Sequence, residues 1–243
     1  MTPDPKAAVY VISVAAELPD PSVAAGPPRL AVDPAGNLVL AGRVEGDRAT
    51  TFVSVLDPSG REVMSTTYLD GLDLSSPIAV ATARSGDLVV AGTQAGDAVV
   101  MGIDPSGRTI LYRPTVGGGG ADAASAVAID DEGSAWIAGR TTSVDMPVTS
   151  PPIQSTPGGG VDAFVAKIDA SGSVVLSTYV GGAGTDHVRG VALDHQGECL
   201  AEVAGVGGAR DLVPDDDHFG LLDPGAEHRL DEVRAARAHH RLG

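Results

Sequence analysis

Four residues stand where side-chain chemistry could converge: Asp122, Asp145, Asp186 and His187. Asp122 and Asp186 each close a glycine-rich stretch, Gly117-Gly118-Gly119-Gly120-Ala121-Asp122 and Gly181-Gly182-Ala183-Gly184-Thr185-Asp186. Carboxylates near an imidazole are the groups that move protons or grip polar ligands. A glycine-rich loop can also cradle phosphate, but it then needs a helix N-terminus or a following Lys, and neither stretch has one. The glycines are expected to let the chain cross from one strand to the next. That leaves the four residues as a tentative binding face, with no catalytic, metal or cofactor role assigned.

Other candidates are weaker. His187 and His195 lie near Asp186 and Asp194, but no Ser is spaced to complete a hydrolytic triad, and no Gly-x-Ser-x-Gly elbow occurs. The Asp-x-x-Gly turns offer one carboxylate each, whereas a calcium loop needs several oxygens in a short stretch. Asp215-Asp216-Asp217-His218 is denser, but its neighbours fix no further ligand. Asp131-x-Gly133-x-x-Trp136 partly resembles the Asp-box of sialidase-type propellers, with Ile129 where Ser or Thr is expected. An Asp-box is a structural turn, and no arginine cluster accompanies it. No cofactor and no metal are expected.

Composition narrows the partners. Sixteen Lys and Arg against 32 Asp and Glu give a net charge of −16. Nucleic acids and anionic membrane surfaces both demand clustered cations, so neither is expected as a partner. No apolar run is long enough for a membrane-spanning helix. Ala7 to Ala16 is apolar, but Asp4 and the lone Lys6 make a poor leader, and Val9-Tyr10-Val11-Ile12 reads as a strand. Cys199, the single cysteine, reads as a buried small hydrophobe. Aromatic residues are 3% of the chain, so the core must be built from Val, Ala, Leu and Ile.

The elements that position the four residues are repeated. Leu30 to Gly42 matches Val80 to Gly92 and Val127 to Gly139, and returns degraded at Val191 to Gly205. A second unit interleaves: Phe52 to Leu56 then Asp57-Pro58-Ser59-Gly60, Val99 to Ile103 then Asp104-Pro105-Ser106-Gly107, and Phe164 to Ile168 then Asp169-Ala170-Ser171-Gly172. Asp caps such a turn, Pro presets φ, and Gly accepts φ > 0, which predicts type I turns closing bulged hairpins. Four antiparallel strands in about 40–50 residues are the sequence form of a β-propeller blade. The fold class is therefore all-β, an incomplete or open propeller arc of about four blades. The expected division is an amino-terminal segment 1–28, blades over 29–77, 78–125 and 126–189, a degraded partial blade 190–225, and a charged tail 226–243. The third blade carries an inserted loop, 140–160, expected at the surface.

The third repeat also resembles a known family, the bacterial SBBP-type β-propeller repeat. The residues that carry this are Asp162-Ala163-Phe164-Val165-Ala166-Lys167-Ile168-Asp169, Ser177-Thr178-Tyr179-Val180-Gly181-Gly182 and Gly190-Val191-Ala192-Leu193-Asp194. Thr142-Ser143-Val144-Asp145-Met146-Pro147-Val148-Thr149 is similar to the family's Thr-x-Ser-x-Asp-Phe-Pro-x-Thr loop, with Met146 in place of Phe. The match is partial over 29–125 and weak after Gly205. The resemblance implies a propeller of a bacterial surface or secreted protein. It implies no common set of catalytic residues.

Three readings of function follow. The leading one is a noncatalytic binding or scaffold module whose partner is a protein or a glycan, with further blades or a second copy completing the ring. The second is a hydrolase or lyase domain with its site at the channel mouth. The third is a fragment of a longer propeller without independent function. Several polar side chains from different blades meeting in one pocket would separate the first two.

Overall fold

A computed structural model describes residues 29–44, 50–69, 75–149, 152–194, 199–205, 210–215 and 218–222. The amino-terminal segment 1–28 and the tail 226–243 lie outside the described residues. The first sheet holds β1 (Arg29–Val32), β2 (Leu38–Val44), β3 (Thr50–Leu56) and β4 (Val63–Leu69). The second holds β5 (Ser75–Thr82), β6 (Leu88–Gln94), β7 (Asp97–Ile103), β8 (Ile110–Tyr112) and β9 (Thr115–Val116). The third holds β10 (Asp122–Ile129), β11 (Ala135–Thr141), β12 (Asp162–Ile168) and β13 (Val174–Val180). The fourth holds β14 (Asp186–Leu193), β15 (Cys199–Gly205), β16 (Arg210–Asp215) and β17 (His218–Leu222). Every strand pairing is antiparallel and follows chain order, save that β8 and β9 both pair with β7. Pro114, which has no N–H to give a ladder, stands between them.

The turn chemistry explains the hairpins. In Asp57-Pro58-Ser59-Gly60 the Gly60 amide donates to the Asp57 carbonyl at 2.8 Å. Asp57 Oδ1 accepts the amides of Arg61 and Glu62 at 2.8 and 2.9 Å. The Ser59 hydroxyl and these amides hold the Asp57 carboxyl down at about 2. Gly60, Gly107 and Gly172 have φ of 68°, 73° and 88°, as expected of their place in the turn. The expected bulges appear beside each turn, between Val55 and Leu56, Gly102 and Ile103, and Lys167 and Ile168.

The sheets pack face to face in chain order, and each gap is filled mainly by Val, Ala, Leu and Ile, with a few larger side chains. Val39, Ala41, Val53 and Val55 of the first sheet meet Leu88, Val90, Met101 and Ile103 of the second. The opposite face of the second sheet, with Val89, Ala91, Ala98 and Val100, meets Ala135, Ile137, Phe164 and Tyr179 of the third. Trp136, Ala138, Ala163 and Val165 meet Cys199, Ala201 and Val203 of the fourth. The alternation of each strand therefore serves two neighbours at once, which is why a single unit cannot bury itself.

Three expectations need correction. The innermost strands begin earlier than the sequence repeats, at Ser75, Asp122 and Asp186 rather than at 78, 126 and 190. A bulge sits between Ser75 and Ala79, Ala124 and Ala126, and Val188 and Gly190, and it breaks the period-2 pattern there. The fourth unit, expected as a degraded partial blade over 190–225, has four strands. The inserted loop is not merely superficial. Met146 is 4% exposed and packs in the gap between the second and third sheets.

Candidate functional site

The glycine stretches lie where one sheet hands over to the next. Gly117 to Ala121 join β9 to β10, and Gly181 to Thr185 join β13 to β14. At both junctions the backbone is latched in the same way. The Asp122 amide donates to the Gly96 carbonyl at 2.6 Å, and the Asp186 amide to the Val161 carbonyl at 2.7 Å. Gly96 and Val161 each precede the Asp that opens a third strand, Asp97 and Asp162. Side chains repeat the pattern: Asp122 Oδ2 accepts the Gly118 amide, and Asp186 Oδ2 the Gly182 amide, both at 2.9 Å. A Cβ at Gly117 would stand 3.0 Å from Asp97 Oδ1 and crowd Asp122. A Cβ at Gly181 would overlap Asp162 and stand 2.8 Å from Asp186 Oδ2. Glycine is needed there for close approach, not for φ.

The inserted loop closes over the first of these stretches. Gly119 donates to Asp145 Oδ1 at 2.7 Å, Gly120 to Ser143 Oγ at 2.9 Å, and Ala121 to Thr142 Oγ1 at 2.7 Å. Ser143 in turn donates to Asp122 Oδ2 at 2.7 Å. Four consecutive amides, from Gly118 to Ala121, are thus taken by four side chains. Tyr179 anchors the same loop, donating its hydroxyl to the Ser143 carbonyl and accepting the Met146 amide, at 3.0 and 2.8 Å. Burial pushes the Tyr179 hydroxyl above its usual range.

Asp122 and Asp145 are therefore brought together, on adjacent amides of one glycine stretch. Asp186 and the exposed His187 belong to the next junction. Sequence reasoning missed Ser143 and Thr142 as partners of the glycine amides. It also missed Asp97, although Asp97-Ala98-Val99-Val100 matches Asp162-Ala163-Phe164-Val165. Of the acidic stretch, Asp215 ends β16 and His218 opens β17, while 216 and 217 lie outside the described residues. Among the described residues, no group of three or more His, Cys, Asp or Glu side chains is placed to hold a metal ion.

A cavity of about 210 Å³ opens at the junction of the second and third sheets. It is lined by Thr93, Gly96, Ala121, Asp122, Arg140 and Thr142, together with Ala123 and Val161. Its walls come from the ends of β6 and β11 and the start of β10, so two sheets contribute. Arg140 is exposed, whereas Asp122 is 1% exposed.

No family model matches the chain, and no curated protein does. Solved structures match it in fold. A subtype N10 neuraminidase-like protein of A/little yellow-shouldered bat/Guatemala/060/2010 superposes with a TM-score of 0.52 at 9% identity, over 81% of this chain and 58% of that one. A protein of unknown function from Dyadobacter fermentans gives 0.50 at 10% identity, over 81% and 68%. A neuraminidase-like protein from A/bat/Guatemala/164/2009 gives 0.50 at 9% identity, over 81% and 53%. The chain is an open arc of a β-propeller. It spans little more than half the length of the neuraminidase-like proteins it matches.

Proposed function

We propose that this arc is a noncatalytic binding module whose contact surface is the face that carries the glycine stretches. The observation that carries the reading is the cavity there, walled by side chains from two sheets. Loops joining elements on a rigid scaffold are where binding residues concentrate, and this face presents such loops from consecutive junctions. The carboxylates at the site support binding over turnover. Asp122, Asp145 and Asp186 each spend an oxygen on a backbone amide, which holds a loop in place. The SBBP-type resemblance implies a surface or secreted bacterial setting; the partner of these loops is a protein or a glycan. The ring is completed by further blades or a second copy. The exposed Leu30 and Val32 of β1 support this, because their repeat equivalents Val127 and Ile129 pack on the preceding sheet.

The test is a glycan array probed with the purified chain, run beside a panel of glycoside, ester and peptide substrates. Retention of at least one glycan without turnover is the expected result. Turnover that disappears in Asp186→Asn would replace this reading with a hydrolase at the channel mouth.

A further inference from the structure

The outer edges of the first three sheets are not protected alike. In the third sheet the inserted loop covers β13. The Thr149 amide donates to the Ser177 carbonyl and the Ser177 amide to Thr149 Oγ1, both at 3.0 Å, and the Tyr179 amide donates to the Gln154 carbonyl at 3.2 Å. In the second sheet Arg113 and Pro114 interrupt the outer strand, between β8 and β9. A charge and a proline both keep an edge from pairing with another chain. The first sheet has neither device. β4 runs unbroken from Val63 to Leu69 with no charged residue, no proline and no glycine, and no described element pairs with its outer side.

The register gives the groups this edge offers. Ser177 and Tyr179 stand opposite Ala166 and Phe164, and Thr66 and Tyr68 stand opposite Ser54 and Phe52, the matching residues of the first sheet. In an antiparallel ladder alternate residues turn their N–H and C=O away from the partner strand. Ser177 and Tyr179 spend theirs on the inserted loop, so these positions face outward. Thr66 and Tyr68 therefore present the same groups, with no loop to take them. Met64 and Tyr68 also expose their side chains.

The chemistry of the strand favours a copy of itself as the occupant. Antiparallel pairing about a two-fold axis at Thr66 sets Thr66 across from Thr66 of the copy, and Tyr68 level with Met64 of the copy. Thr–Thr pairs and sulfur–aromatic contacts are both favourable across strands. Each chain carries a net charge of −16, but the strand itself adds no charge to the contact. A two-fold contact of this kind closes on itself and stops at two chains.

We propose that β4 pairs antiparallel with β4 of a second copy of this chain, joining the two first sheets edge to edge. This contact uses the outermost strand of the sheet. It is separate from the open face beside Leu30 and Val32 through which the ring is completed.

The test is sedimentation velocity on the full chain from about 1 to 200 μM, in about 150 mM salt to screen the two net charges. The mass should rise from one chain to two, with a dissociation constant of about 10 μM, since one strand pair is a small interface. Amide exchange at Thr66 and Tyr68 should slow over the same range. Thr66→Pro removes an outward N–H and should weaken the dimer at least about tenfold. It also removes the Thr66 hydroxyl that meets Ser54, so Tyr68→Lys, which leaves the backbone groups in place, is run beside it and should weaken the dimer likewise. Leu30→Lys, on the open face, should leave the dimer unchanged. A chain that stays monomeric overturns the proposal. So does a dimer untouched by Thr66→Pro and Tyr68→Lys, or one that survives Thr66→Pro and is lost in Leu30→Lys, which would seat the second copy on the open face. Amides of Thr66 and Tyr68 already protected in the monomer would show the edge covered within the chain and would overturn it too. None of these outcomes touches the glycan array, so this proposal and the binding-module reading stand or fall apart.

Discussion

Tyr68 and Tyr179 occupy the same position in the first and third sheets, each directly across from a phenylalanine, Phe52 and Phe164. Tyr68 is 47% exposed and Tyr179 is fully buried. Two things differ: Tyr179 faces the second sheet, whereas no described sheet precedes the first, and the inserted loop lays Met146 and the Ser143 carbonyl over Tyr179. Tyr179→Phe removes the partner of two buried backbone groups and should cost about 1–3 kcal/mol. Tyr68→Phe should change stability by less than about 0.5 kcal/mol. Urea titrations of the two variants check this; equal midpoints would mean the hydroxyl of Tyr179 does not hold the loop.

Gly107 has φ of 73°, and a Cβ there would stand 3.3 Å from Val55 Cγ2 and 3.4 Å from Ser65 Oγ of the preceding sheet. Strain and crowding act together at this turn. Gly107→Val should destabilise by about 1–3 kcal/mol, since a β-branched residue resists positive φ. A denaturant midpoint unchanged from the parent would show that the turn relaxes at no cost.

Turn aspartates make stability depend on acid. Hydrogen bonds from the turn hold Asp57, Asp104 and Asp169 below the usual carboxylate range, chiefly that from the Ser59 hydroxyl for Asp57, the Thr109 amide for Asp104 and the Ser171 hydroxyl for Asp169. A depressed folded-state value means the contribution is present above the unfolded value, about 3.9, and is lost as pH falls through the folded one. Thermal midpoints should therefore drop between about pH 4 and pH 2. The triple variant with Asn at 57, 104 and 169 should show a shallower drop; an identical slope would assign the acid sensitivity elsewhere.

Burial pushes the Cys199 thiol up to about 12. The thiolate is the reactive form. At pH 8 the native chain should resist alkylation by iodoacetamide, and unfolding should release the reaction. A native rate equal to that in denaturant would place the thiol outside the gap between the third and fourth sheets.

What was legible in the sequence was local. Asp57-Pro58-Ser59-Gly60 announces its turn because each residue type answers one conformational need, and the strands follow from turns spaced about 50 residues apart. The first residues of the innermost strands were hidden by bulges, which shift the alternation at Ser125 and Arg189. β16 was hidden because Arg210, Asp211, Pro214 and Asp215 leave no apolar alternation to read. At the candidate site, Asp122, Asp145 and Asp186 were visible as polar residues beside glycines. The clasp of Ser143 and Thr142 was not. It pairs residues more than 20 positions apart, and no spacing rule encodes which amide a hydroxyl meets.

The junction latch has a consequence for how this architecture can be cut. The glycine stretch that ends the second sheet is satisfied by Thr142, Ser143 and Asp145, which belong to the third. A piece excised along the sequence repeat, 78–125, would carry the amides of Gly119, Gly120 and Ala121 without the side chains that receive them. The complementary piece, starting at 126, would lose the half of β10 that precedes its bulge. The portable module is thus a doublet, running from Ser75 to Val180, with its seam in the middle. Duplication or grafting that respects this seam transfers a finished joint, whereas one that respects the visible repeat transfers two halves of different joints.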